Sequence, residues 1–185
     1  RKLRLDLHTH VWEASGFQAP TRAHVEEVLR ILKARGLDGI AITDHHHREY
    51  ALEFREVVQR HFPGQALVLP GWEIEVRPAA DFFNEVQVCE VELEGGLVFR
   101  SYCHPGHPGR RIIVEDGIGA IEEDNLLHNW HIDKPEVRRV AQEHDLLLLR
   151  VSDAHRLEDI GKNFTEVDLE ELYRRARPAR QDGAR

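Results

Sequence analysis

The sequence predicts an α/β fold built on a parallel sheet or barrel, and three observations predict it. Short apolar segments of strand length alternate with amphipathic segments whose apolar residues recur at helical spacing. Several strand-like segments, "DGIAITD" and "LLLLRV" among them, lack clean in-out alternation, as strands covered on both faces do. The length of 185 residues, 41% of them hydrophobic, suits one domain with a sizeable core. The expected organisation is a single domain over residues 1–177 and a polar tail over 178–185.

The elements follow in order. "LRLDLHTH" opens with Leu3, Leu5 and Leu7 alternating as in a strand and ends in His8 and His10. Residues i and i+2 of a strand point the same way, about 6–7 Å apart, so these two imidazoles can converge on one ion. "QAPTRAHVEEVLRILKARG" reads as a helix, with Thr21 as N-cap, an apolar stripe of Val25, Val28, Leu29 and Leu32, and Gly36 to end it. "DGIAITD" is a short buried strand, and a second helix covers Arg48 to His61, stopping at Pro63-Gly64. "ALVLPGWEIEV" is a third strand. "NEVQVCEVELEGGLVFRSYCHP" alternates over two runs joined at Gly95-Gly96, which marks an antiparallel hairpin. "DGIGAIEED" reads as a strand, "KPEVRRVAQEHD" as a helix with Pro135 in its first turn, and "LLLLRVSDAH" as another buried strand. "DLEELYRRARP" is a helix from about Asp168, and the chain beyond about Pro178 is expected to fray.

Composition narrows the function classes. No apolar run nears the roughly 20 residues of a membrane-spanning helix, and no charged-then-apolar leader opens the chain. A cytoplasmic protein with no membrane partner is the expectation. A formal net charge of −8 argues against a dedicated nucleic-acid binder, so no stable nucleic-acid complex is expected. The two cysteines, Cys89 and Cys103, cannot make a disulfide framework and read as buried thiols in a reducing compartment.

The anomaly is the 13 histidines. In parallel α/β folds ligands sit at the C-terminal ends of the strands, so functional histidines should follow the strands. They do: His8 and His10, then Asp44-His45-His46-His47, then Glu73, then His104 and His107, then Asp153 and His155. His24, His61 and His144 fall within or at the ends of helices and read as surface residues. Buried unpaired charges would cost several kcal/mol each, whereas a cation satisfies them together. Metal binding is the reading that this placement supports.

"DLHTH", "ITDHH", "PGWEIEV", "CHPGHPG" and "VSDAH", in this order and spacing, resemble the motifs of the polymerase and histidinol phosphatase (PHP) family of metal-dependent phosphoesterases. "SDAHRLEDIG", with Gly161 six residues after His155, resembles that family's closing motif, and the resemblance spans residues 3 to 176. It implies a distorted barrel of seven strand-helix units, (β/α)7, with the hairpin near residues 84–103 as an elaboration. It also implies two to three divalent metal ions (Zn, Mn or Fe) under the strand ends.

Carried over, the resemblance implies that His8, His10, Glu73 and Asp153 hold one metal. Glu73 would bridge to a second, shared with His104 and one of His128, His131 or Asn125. His45 and His155 would hold the third. The family's further loop ligand falls at Ser15 and Gly16 here, so Glu13, the nearest acid, is its expected substitute. Mixed imidazole and carboxylate shells suit such ions, and water between two of them becomes nucleophilic near neutral pH. Asp44 is expected to orient a ligand histidine through a hydrogen bond, and of His46 and His47 at least one belongs on the rim. Cys103, next to His104 on an extended chain, is expected to face away from the site. His107 reads as a turn residue. Arg110 and Arg156 are candidates for gripping phosphate oxygens.

The implied reaction is hydrolysis of a phosphate ester, a monoester being favoured, with a small phosphorylated substrate or short nucleotide as partner. Two other readings compete: a metal-holding scaffold or regulatory domain without turnover, and an amidohydrolase-type metal hydrolase, which also begins with HxH on its first strand.

Overall fold

The computed structural model describes residues 1–179, and the expected tail over 180–185 lies outside the described residues. The elements are β1 (Lys2–Asp6), α1 (Val11–Ala14), α2 (Arg22–Ala34), β2 (Gly39–Ile42), α3 (Glu49–His61), β3 (Leu67–Val76), β4 (Val86–Leu93), β5 (Leu97–Tyr102), β6 (Ala120–Asn125), α4 (Lys134–His144), β7 (Leu147–Val151), β8 (Thr165–Asp168), α5 (Leu169–Arg175) and β9 (Arg177–Pro178). α2 and α4 start where local chemistry says they should. The Thr21 hydroxyl accepts from the His24 N–H, and the Asp133 carboxylate accepts from the Glu136 N–H one residue before Lys134 and Pro135.

The strands lie in the order β7-β6-β5-β4-β3-β2-β1-β8. β1, β2 and β3 run parallel to one another, as do β5, β6 and β7, and antiparallel joints link β3 to β4, β4 to β5 and β1 to β8. The result is a nearly closed, barrel-like α/β sheet. Its two edges meet through a side chain: the Thr165 hydroxyl accepts from the Arg150 N–H and donates to the Arg150 carbonyl, each at 2.9 Å.

This corrects two expectations. The hairpin is no elaboration: β4 and β5 are interior strands of the sheet, joined where Gly95 and Gly96 take positive φ between the paired Leu93 and Leu97. The crossovers between neighbouring parallel strands carry α1 with α2, then α3, then α4, and the remaining strands are joined without such helices, so seven regular strand-helix units do not form among the described residues. The onset of the expected tail is also ordered. Arg177 and Pro178 pair with Val98 and Leu97, along the part of β5 that β6 leaves unpaired.

Apolar side chains fill three layers. Val25, Val28, Leu32 and Phe54 pack α2 and α3 against Ile40 and Ile42 of β2. Val137 and Val140 of α4 pack with Ile121 and Tyr102. Leu5, Ala41, Val91, Phe99 and Leu149 form a third cluster, joined by Leu172 of α5. Each fully buried side chain of this kind contributes about 1.5–3 kcal/mol. Apolar residues thus occupy the early parts of the strands, and the polar strand ends are left for the site.

Gly71 shows how closely β3 and β4 approach below that site. A Cβ there would lie 2.4 Å from the Glu90 carbonyl oxygen of the neighbouring strand. Gly71→Ala is expected to lower stability by about 1–3 kcal/mol, as overpacking does. Urea denaturation of the two proteins side by side measures it, with Gly64→Ala as the control at an open position of positive φ.

Candidate metal centre

The polar strand ends come together at one end of the barrel. β1 stops at Asp6, but the chain beyond it continues across the seam: the Asp153 N–H donates to the His8 carbonyl and the His10 N–H to the Ala154 carbonyl, around a parallel bridge of Thr9 with Ala154. A second parallel bridge pairs His45 with Glu73 beyond the end of β2. Backbone hydrogen bonds therefore deliver His8, His10, His45, Glu73 and Asp153 to a common space.

His8, His10, Glu73 and Asp153 are all buried and form one compact group. The Nε2 atoms of His8 and His10 are 3.1 Å apart. Glu73 Oε2 lies 3.2 Å from each of them, and Asp153 Oδ1 lies 3.4 Å from the first and 3.0 Å from the second. Ligands about 2.0 Å from a tetrahedral ion are about 3.3 Å from one another, so these separations are those of a coordination shell. Asp153 Oδ1 and His10 Nδ1 are buried with no aligned hydrogen-bond partner among the described residues. The donor set fits a divalent cation.

Three histidines are held with Nε2 turned inward. His8 Nδ1 lies 2.7 Å from Glu122 Oε1, which places a proton on Nδ1 and directs Nε2 at the common space. His104 Nδ1 faces the His107 carbonyl at 3.1 Å, and His155 Nδ1 faces the Asp153 carbonyl at 2.8 Å. Glu122 Oε2 also accepts from the His104 N–H at 2.7 Å and from Asn125 Nδ2 at 2.9 Å. Sequence reasoning missed Glu122; its only signal was an acid at the end of a strand. It missed Asp6 as well, which is buried and accepts from Ser152 N–H, Ser152 hydroxyl and Gly161 N–H, tying β1 to the "SDAH" segment. Burial pushes the Asp6 carboxyl up to about 6.

Two further groups adjoin the first. His104, His128 and Asp153 lie together, and His104 Nε2 is 3.2 Å from Glu73 Oε1. His10, His45 and His155 form the other, with Glu13 Oε2 3.5 Å from His155 Nε2. Of the three candidates, His128 is the one whose ring joins the second group, with Nε2 3.7 Å from Asp153 Oδ2. Asn125 has its amide occupied: Nδ2 donates to Glu122 and Asp153, and Oδ1 accepts from the Leu127 and His128 N–H groups. His131 sits further out, stacked on His107 and against Trp130.

Other expected residues are placed elsewhere. Asp44 accepts from the Trp12 and Glu13 N–H groups, so it caps α1 and holds no histidine. His46 pairs with Glu75 and His47 with Glu49, outside the three groups. Arg156 is turned to Glu158 and Asp159 of its own turn, and Arg110 is exposed beside His131. Cys103 does not face away. His104 adopts a φ of +24°, which breaks extended alternation, and Cys103 is buried in the same small group as His8.

The electrostatics follow from packing acids and imidazoles together. Burial alone would raise the Glu73 carboxyl, but His8, His10 and His104 outweigh it and hold it well below the usual carboxylate range. Burial alone would lower His10, but Asp153 and Glu73 raise it to about 9. Burial and the neighbouring His104 push His128 down to about 4.

No family model and no curated protein matches the chain. Solved structures do. A Bifidobacterium adolescentis protein named as a metal-dependent phosphoesterase is similar with a TM-score of 0.65 at 16% identity, over 92% of this chain and 94% of that one. An amidohydrolase from Chromobacterium violaceum, solved with bound sulfate and no metal, gives 0.58 at 15% identity, over 94% and 97%. PsfC from Pseudomonas syringae gives 0.52 at 16%, over 85% and 78%. The likeness is one of fold.

Glu122→Gln keeps the size of the side chain but removes the charge that His8 leans on. It is expected to weaken divalent-metal binding by about 10–100-fold, measured by isothermal titration. Binding to the folded state alone stabilises it by about 2.7 kcal/mol when the free ion is at 100 times Kd. Saturating metal is therefore expected to raise the melting temperature, and chelation to lower it.

Proposed function

We propose that this chain is a divalent-metal-dependent phosphoesterase of the PHP type, with monoesters favoured. The observation that carries the reading is the shell-like spacing of His8, His10, Glu73 and Asp153 at 3.0–3.4 Å. In this reading those four residues hold one ion. Glu73 has Oε1 toward His104 and Oε2 toward His8, His10 and His45, an arrangement suited to bridging adjacent ions. His104 and His128 belong to a second ion, with His131 as the outer alternative, and His45, His155 and Glu13 to a third. Divalent ions of the Zn, Mn or Fe class supply charge stabilisation to a phosphoryl group and a water acidic enough to attack at neutral pH.

The chain's own residues prepare the space. Glu122 fixes the tautomer of His8, Asn125 steadies Asp153, and Asp6 anchors the segment that carries Asp153 and His155. Arg110, exposed near the outer histidines, is the better of the two arginines for meeting a phosphate, since Arg156 is paired within its own turn. The net charge of −8 favours a small phosphorylated substrate or short nucleotide over a polynucleotide. The fold shared with the Bifidobacterium protein supports the reading, as does the sulfate in the Chromobacterium structure, a tetrahedral oxyanion like phosphate.

The test is hydrolysis of p-nitrophenyl phosphate by the metal-depleted chain with Mn²⁺, Zn²⁺ or Fe²⁺ restored one at a time. Expected are metal-dependent turnover, its loss on chelation, and a fall of about 10³-fold in His10→Ala and Asp153→Ala, the equivalent of several kcal/mol of transition-state stabilisation. Metal uptake without turnover moves the reading to a scaffold or regulatory domain. Turnover of amides and none of phosphate esters moves it to an amidohydrolase.

A further inference from the structure

Beside the candidate centre lies a second donor set, two of whose three members the hydrolytic reading does not use. Cys89 stands in β4, directly opposite Glu73 on one side and Ser101 on the other. Paired residues of neighbouring strands share a face, so Cys89 lies on the face that carries Glu73. Cys103 follows β5, held by a hydrogen bond from its N–H to the Gln87 carbonyl. Both thiols have 0% exposure, and their sulfurs are 3.4 Å apart. Donor atoms of Cys89, Cys103 and His8 all lie within 4.8 Å of one another.

Two thiols and an imidazole are a familiar donor set for zinc-like ions, and three protein donors leave a tetrahedral ion one position open. At metal–sulfur distances of about 2.3 Å, two tetrahedral sulfur ligands are about 3.8 Å apart, so the pair has to open by only a few tenths of an ångström. Charge favours a divalent ion: with two thiolates it makes a neutral unit, the form that burial penalises least. Softness separates this set from its neighbour, because thiolates select thiophilic cations while carboxylates accept harder ones. The two sets are not independent. His8 has Nδ1 on Glu122 and Nε2 among His10 and Glu73, so an ion at the thiols must draw the ring from one of these engagements.

We propose that Cys89, Cys103 and His8 form a distinct site for a thiophilic divalent cation of the Zn²⁺–Cd²⁺ class, and that it competes with the Glu73 group for His8. Binding replaces two S–H bonds by two metal–sulfur bonds, the two protons pass to solvent, and no electron moves. The thiol site stands on its own geometry, and the competition alone rests on the reading of His8 as a ligand of the Glu73 group.

Cadmium titration of the metal-depleted full chain tests the site, read by the ultraviolet thiolate-to-cadmium charge-transfer band. The band is expected to saturate with one ion bound through sulfur, to accompany proton release, and to vanish in Cys89→Ser and in Cys103→Ser. No band in the unsubstituted chain, or a band that survives in both variants, overturns the site. Should the serine variants fail to fold, the unsubstituted chain decides: cadmium is expected to slow alkylation of both thiols in mild urea, and unslowed alkylation overturns the site. Preloading with Mn²⁺ is expected to shift the cadmium titration to about tenfold higher concentration, since coupling between sites is reciprocal. An unshifted titration overturns the sharing of His8. A band in a chain without phosphatase activity upholds the thiol site and counts only against the phosphoesterase reading.

Discussion

Glu73 is the constraint around which the rest of the structure is arranged. Its carboxylate is 1% exposed and faces the imidazoles of His8, His10, His45 and His104. A buried carboxylate in apolar surroundings would be driven to its neutral form; here the imidazoles keep it ionised. That demand reaches outward. His8 needs Glu122 to fix its tautomer, and Glu122 in turn steadies the unusual backbone of His104 by accepting its N–H. Gly71, two residues before Glu73, lets β4 come close enough to bring Cys89 opposite it. Mutual satisfaction of buried polar groups is what makes so charged an interior compatible with a folded domain.

Much of the fold was legible because each element carried its own local signal. The stripe from Val25 to Leu32, the cap at Thr21, and the Gly95-Gly96 turn each determine structure within a few residues, and the structure places them as expected. β8 was not legible: Thr165–Asp168 has only four residues, and its role as the edge that meets β7 depends on strands far away in sequence. The same holds for β9, whose pairing exists because β6 pairs with only Ser101 and Tyr102 at the end of β5. The hairpin was seen, but its rank as two interior strands follows from sheet order, which no local pattern encodes.

The candidate site divides in the same way. Histidines and acids at successive strand ends were visible as a pattern, since strand polarity alone sends them to one end of the barrel. Glu122 and Asp6 were invisible because nothing distinguishes a buried acid from an exposed one until its partners are in place. Asp44 was assigned to a histidine because of its neighbours in sequence, whereas the N–H groups of α1 reach it first in space. Cys103 went astray for a backbone reason: a strand's alternation was extended through a residue, His104, that leaves the extended region.

The seam of the barrel gives the centre a second meaning. Where β7 meets β8 the sheet is joined by one threonine hydroxyl, and beyond the strands by the short bridge of Thr9 with Ala154. His8 and His10 stand on one side of that bridge, Asp153 and His155 on the other, far apart along the chain. An ion held by both sides acts as a clasp, cross-linking the beginning of the chain to its last third much as a disulfide closes a long loop. Such a clasp removes freedom from the open barrel more than it adds attraction to the closed one. Chemistry and architecture would then depend on the same atoms, and without such an ion the seam is held by its hydrogen bonds alone.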